Sequence, residues 1–331
     1  MKVFRQGWWA ALLWCVVTLS QAANNVPLVQ RLKAAQTVAD KSPACVAAQP
    51  FYWEIGDAHA SLAQGRVGAS APQAHTKLAI ASASKWLFAA YVLERRQGEL
   101  TPADIDLLTF RSGYTQFRVC REGQTVEACR SSWLNRKGEQ DTDTVGRFYY
   151  NGGHMQQLAV SMGLGPLDAN GLAMKIRREL APPGVQWDLS YGQAQLAGGV
   201  QTSPQVYAQF LQGLLNARLR LGSQLGQHAV CTRAQDCPTE AIRSPIPDRE
   251  AWHYALGHWV EDDPVVGDGA FSSPGAFGFY PWIDAGKQYY GMVARESRKG
   301  IVLGNEDDKP AMQSVECGRH IRRAWLTGRP D

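Results

Sequence analysis

The stretch 82–96 constrains the fold more than any other part of the chain. It carries Trp86, Leu87, Ala89, Ala90 and Leu93, which together cover most of a helix's circumference. A helix that is apolar nearly all round is buried on all sides rather than on one face. The rest of the chain must therefore enclose it.

The flanking patterns say with what. Residues 26–41 have helical spacing through Leu28, Leu32, Ala35 and Val38. Phe51-Tyr52-Trp53-Glu54-Ile55 reads as a strand, with 64–68 as its hairpin partner or a loop. The middle, 98–245, is mostly helical and loop-rich, with helices expected at 155–162, 172–180 and 204–219. Strand patterns return at 252–260, 276–283 and 288–295, and a last helix at 309–326. Strands at both ends and helices between predict one layered unit, built from 23–97 and 246–331, with a helical region of 98–245 inserted. The 331 residues are enough for a large core, and 45% hydrophobic with 19% charged residues excludes a coiled coil, a collagen-like chain or a wholly disordered one. The net charge of +4 is spread without a Lys/Arg cluster, so nothing points to a nucleic-acid partner.

Residues 1–22 read as a secretory signal peptide. Lys2 and Arg5 precede the apolar run from Trp8 to Val17, and Ser20-Gln21-Ala22 forms a small-x-small cleavage site. No other stretch is long and apolar enough for a membrane span, so the expected location is periplasmic or secreted. Beyond Cys15, the remaining six cysteines are an even set, as in exported disulfide-bonded proteins. Short loops close most cheaply, which pairs Cys120 with Cys129 and Cys231 with Cys237. Cys45 and Cys317 are left to tie the two ends of the chain together. No metal-ligand spacing is present, and His253 and His258, in an apparent strand, read as structural.

The chemistry begins at Ser82-Ala83-Ser84-Lys85, the chain's one S-x-x-K. At the start of a buried helix, Lys85 sits one turn beyond Ser82 on the same face. Desolvation lowers an ammonium's pKa and frees an amine to act as base. The helix N-terminus offers backbone N–H groups to an oxyanion. Ser82 is thus the candidate nucleophile and Lys85 its base. The one Y-x-N, Tyr149-Tyr150-Asn151, adds Tyr149 as a proton carrier and Asn151 as an amide that orients the substrate carbonyl. No metal or organic cofactor is required.

These residues resemble the serine β-lactamase and penicillin-binding-protein superfamily, above all its class C β-lactamase, D-aminopeptidase and carboxylesterase branch. Leu78-Ala79-Ile80-Ala81-Ser82-Ala83-Ser84-Lys85 is similar to the family's nucleophile helix. Gln97-Gly98-Glu99-Leu100-Thr101-Pro102-Ala103-Asp104, Leu107-Leu108-Thr109-Phe110-Arg111-Ser112-Gly113-Tyr114 and Gln195-Leu196-Ala197-Gly198-Gly199-Val200-Gln201-Thr202-Ser203 follow in the family's order. The resemblance implies an α+β, β-lactamase/transpeptidase-like fold, with an antiparallel sheet flanked by helices from both termini and an inserted all-α region.

The family's third motif, Lys/His-Thr/Ser-Gly, falls on Ser273-Pro274-Gly275. The resemblance implies that Ser273 and Gly275 border the substrate with Asn151, and that the Ala276 N–H pairs with that of Ser82 as an oxyanion hole. Ser273 and Pro274 replace the groups that in the family help hold a substrate carboxylate, so selectivity for acidic substrates is expected to be poor. Arg295 and Arg298 are candidates for a replacement charge, with Arg298 reading as a solvated surface arginine. The expected function is an exported serine hydrolase that opens a small-molecule or peptide ester or amide through an acyl-enzyme. The alternatives are a D,D-peptidase or β-lactamase acting on cell-wall-type substrates, and a non-catalytic binding protein on the same fold.

Overall fold

The structure, a computed structural model, describes residues 26–299 and 309–330. The segment expected as a signal peptide lies outside the described residues. Helices α1 (Leu28–Lys41) and α2 (Pro43–Ala48) lead into the hairpin β1 (Phe51–Gly56) and β2 (Ser61–Val67). Strand β3 (Leu78–Ala79) precedes helix α3 (Ser84–Arg95), then come α4 (Pro102–Leu108) and α5 (Val126–Arg130). Next are β4 (Phe148–Tyr149), α6 (Gly153–Ser161), α7 (Ala169–Leu180), β5 (Leu189–Tyr191), β6 (Val200–Thr202) and α8 (Pro204–Leu215). Short strands β7 (Val230–Cys231), β8 (Ala241–Arg243), β9 (His253–Tyr254) and β10 (Trp259–Glu261) follow. The chain ends with β11 (Ala270–Ser272), β12 (Tyr280–Ile283), β13 (Tyr290–Ala294) and α9 (Pro310–Thr327).

Eight strands form one sheet in the order β2-β1-β13-β12-β11-β10-β9-β7, with every neighbouring pair antiparallel. Strands β1, β12 and β13 are buried at every position. Their aromatic and β-branched residues suit a sheet covered on both faces. Helix α9 packs on α1, α2, β12 and β13, while α8 packs on β1 and β13. The disulfide Cys45–Cys317 joins α2 to α9. Cys120–Cys129 and Cys231–Cys237 close two local loops, so the three pairs are those expected from loop closure. From Ser84 to Leu93 every residue of α3 is buried, as its all-round apolar surface demands.

Under α9 the sheet carries a buried ion network. Glu261 accepts from Arg319 at 3.0 Å, from Arg322 at 3.1 Å and from the Tyr280 hydroxyl at 2.6 Å. Glu250 and Asp268 complete it against Arg319 and Arg322. Each charge has an opposite partner, which is what makes such burial tolerable.

Three expectations change in detail. The stretch 252–260 is a hairpin rather than one strand, because Gly257 at φ 70° turns the chain and the Ala255 N–H donates to His258 O. Residues 276–279 form a turn rather than the start of a strand, with Gly278 at φ 97°. The region 98–245 is not all helical. It contributes β7 to the large sheet, α8 to its face, and β5 and β6 to a three-stranded sheet with β3.

Candidate active site

Ser82 sits in a 3-10 turn, Ala81–Ala83, just before α3. Ala81 has φ 43°, a left-handed conformation costly for a residue with a side chain. The surrounding structure clamps this turn from both sides. Strand β6 accepts from Ile80 N–H at Val200 O and donates from Val200 N–H to Ser84 Oγ. The Tyr207 hydroxyl, on α8, donates to Ala83 O at 2.9 Å. Ser273, at the end of β11, donates to Ser82 O at 3.1 Å.

Lys85 is 4% exposed, and its Nζ lies 2.9 Å from Ser82 Oγ and 2.7 Å from Ala197 O. Burial lowers its pKa from 10.5 to about 7, because the low-dielectric surroundings disfavour the charged form. The Ala197 carbonyl belongs to the loop between β5 and β6. Gln156 braces that loop by donating to Ala194 O at 2.8 Å and accepting from Leu196 N–H.

Tyr150, not Tyr149, stands on the Ser82 side. It lines the same cavity as Ser82, its ring stacks on Trp259, and that ring lies 4.8 Å from Lys85 Nζ. Burial pushes its pKa up to about 12, with the neighbouring Ser82 and Trp259 pulling the other way, so it is a phenol rather than a phenolate near neutral pH. The physical reason is strand alternation. Phe148 and Tyr150 share one side, where both pack on Tyr254 and Trp259. Tyr149 points the other way, toward Arg243, whose Nη1 donates to its hydroxyl at 3.3 Å. His154, neutral because burial lowers its pKa to about 3, bonds to Tyr149 O and Ser112 Oγ and fixes this segment.

Asn151 is likewise turned away. Its Nδ2 donates to Phe117 O at 3.1 Å and its Oδ1 accepts from Gly153 N–H at 2.8 Å, so it closes the turn before α6. Ser273 is buried and committed to Ser82 O, while Pro274 and Ala276 border the cavity instead. Gly275 has a packing reason: a Cβ there would run into Ile80 O, two residues before Ser82. Arg295 lies outside the site, with its guanidinium donating to Ala48 O, Pro310 O, Ser314 and Gln313. Arg298 stacks over Phe277 and pairs with Glu296 at the surface.

The site opens into a cavity of about 430 Å3, lined by Ser82, Tyr150, Trp259, Pro274, Ala276 and Arg243 among others. That volume suits a small ligand. Trp259, Tyr150, Ala197 and Arg243 are absent from the residues that the sequence nominates. For Tyr150 a signal existed: Phe148 must face the core, and alternation puts Tyr150 on its side. His258 is buried, stacked on Trp86 and bonded to Leu256 O and Gly226 N–H, a structural place. Among the described residues no group of His, Cys, Asp and Glu could hold a metal, and no helix is long and apolar enough to cross a membrane.

No protein-family model matches the sequence, and no curated protein matches it by sequence. Solved structures match in fold. FmtA from Staphylococcus aureus has a TM-score of 0.59 at 13% identity, over 90% of this chain and 87% of its own. Simvastatin synthase (LovD) from Aspergillus terreus has 0.56 at 14%, over 87% and 98%. A D-stereospecific amidohydrolase from Streptomyces sp. has 0.55 at 12%, over 88% and 97%. With its antiparallel sheet, flanking helices and enclosed α3, this chain has a β-lactamase/transpeptidase-like fold.

Proposed function

We propose that this protein is an exported serine hydrolase that cleaves an ester or amide through an acyl-enzyme on Ser82. The observation that carries the reading is the pair Ser82 and Lys85: a hydroxyl at the mouth of a cavity, 2.9 Å from a buried amine whose pKa is about 7. An amine poised near the working pH is an effective general base. The amidohydrolase named among the solved structures supports acyl chemistry on this fold, and three disulfides support export.

The steps follow from the positions. Neutral Lys85 takes the Ser82 proton as Oγ bonds to the substrate carbonyl carbon. The oxyanion rests under the N–H groups of Ser82 and Ala276. The tetrahedral intermediate collapses, the bond to the leaving group breaks, and Tyr150 passes that group a proton which Lys85 replaces. Lys85 then takes a proton from water as its oxygen bonds to the acyl carbon, the Ser82 Oγ–acyl bond breaks, and that proton returns to Ser82 Oγ as the acid leaves. Ala197 O holds Lys85 in place throughout.

Assay of the mature protein against short-chain aryl esters, D-Ala-terminated peptides and β-lactams tests the reading. Ester hydrolysis is expected in the wild type and lost in Ser82→Ala. Turnover that survives Ser82→Ala, or its absence on every carbonyl substrate, would overturn it, and the second result would favour a binding protein.

A further inference from the structure

We propose that Arg295 is a positioning residue for the oxyanion hole: its buried guanidinium is the strut that holds the turn carrying Ala276 against the first turn of α9. The inference rests on the acyl-enzyme reading above and extends it to a residue outside the cleft. Ala276 borders the cavity, and among the described residues its N–H has no acceptor. A donor kept for a substrate oxygen must be free in this way. Its place is set by the tight turn 275–279, where the Gly275 N–H donates to Phe279 O and the Gly278 N–H to Gly275 O, both at 2.8 Å.

That turn rests on Arg295. Gly278, at φ 97°, leaves no room for a side chain: a Cβ there would run into Nε and Cγ of the arginine. Two residues beyond Arg295, the Ser297 N–H donates to Phe277 O at 2.8 Å, so the end of β13 meets the turn at two points. The other side of the guanidinium holds α9. Nη2 donates to Pro310 O at 3.0 Å and to Gln313 Oε1 at 2.7 Å, and Nε donates to Ser314 Oγ at 3.1 Å. Ala311 and Met312, within that first turn, line the cavity. One side chain thus joins two walls of the cleft.

Stability does not explain an arginine here. Arg295 is 4% exposed, and its acceptors among the described residues, Ala48 O included, are all neutral. Burial pulls its pKa down to about 10, so it stays charged near neutral pH, and a buried charge without a counter-charge is costly. A methionine would fill similar space without that cost. What the guanidinium alone supplies is a rigid planar fork that fixes several acceptors at once. A displacement of about 1 Å is enough to spoil a reacting geometry, and this fork sets where the Ala276 N–H points.

The test compares para-nitrophenyl acetate with its thionoester, in which sulfur replaces the carbonyl oxygen. Sulfur is a weak hydrogen-bond acceptor, so turnover of the thionoester depends little on the oxyanion donors. Arg295→Met should lower kcat/KM for the acetate ester by at least about tenfold, toward the roughly 10²- to 10³-fold cost of losing one such donor. The thionoester should lose far less, so the ratio of the two kcat/KM values falls at least about tenfold. Arg295→Lys keeps the charge but offers a point in place of a fork, and the ratio should fall there too, whether or not Arg295→Met folds. An equal loss on both esters marks a merely structural role and would overturn the proposal, as would no loss on either. A wild type that hydrolyses neither ester overturns the acyl-enzyme reading and this inference with it. Hydrolysis by the wild type with an unchanged ratio in the variants overturns this inference alone.

Discussion

The Ser273 hydroxyl donates to the backbone carbonyl of Ser82 at 3.1 Å, and the Ser273 residue is 3% exposed. The position where the resemblance calls for a cation thus faces back into the fold and holds the peptide of Ser82. Gly275, pressed against Ile80 O, fixes the same two segments against each other. The third-motif edge here works as a clamp on Ser82.

Ser273→Lys therefore does not restore a carboxylate site. It removes a hydrogen bond and forces an ammonium into a buried position with no counter-charge, a costly substitution. Thermal unfolding should show a Tm lowered by several degrees, with no gain on carboxylate-bearing esters. A gain on those esters at unchanged Tm would put residue 273 on the cleft. Ser273→Ala should cost about 1 kcal/mol.

Tyr150→Phe should lower kcat/KM by about 10²- to 10⁴-fold, the range for loss of a proton carrier. Tyr149→Phe should cost at least tenfold less, since its hydroxyl meets Arg243 and not Ser82. Steady-state kinetics of the two variants on one neutral ester would distinguish them, and equal losses would contradict the assignment.

Glu261 carries the stability of the α9 side of the sheet. Glu261→Gln leaves Arg319 and Arg322 short of charge in a buried setting, and breaking a buried pair costs about 3–5 kcal/mol. Urea unfolding of the two proteins measures the difference. A change below about 1 kcal/mol would mean that Glu250 and Asp268 balance both arginines alone.

The enclosing fold is legible in the sequence because α3 is apolar all round, and because Phe51 to Ile55 and the late strands mark a sheet built from both ends. Ser82 and Lys85 are legible because their contact is local, one turn apart on one chain segment. The rest of the site is not, since it depends on contacts across long separations. Ala197 reaches Lys85 from a loop between strands, and Trp259 and Arg243 arrive on β10 and β8. Tyr149 and Tyr150 are adjacent, and a two-residue strand decides which one faces inward. Asn151 and Ser273 have the right chemistry for substrate contact, but local hydrogen bonds within the fold consume it.

The most direct measurement is the rate of covalent labelling by a fluorophosphonate probe as a function of pH, with the adduct located by peptide mapping. The adduct should fall on the peptide containing Ser82 and vanish in Ser82→Ala. With the neutral amine of Lys85 as the proposed base, the rate should rise as pH increases through about 7 and level off above it. Lys85→Met should lower the plateau at least about 10²-fold. An adduct on another residue, or a rate at Ser82 that is flat between pH 5 and 9 and unchanged in Lys85→Met, would contradict a serine nucleophile activated by a buried lysine.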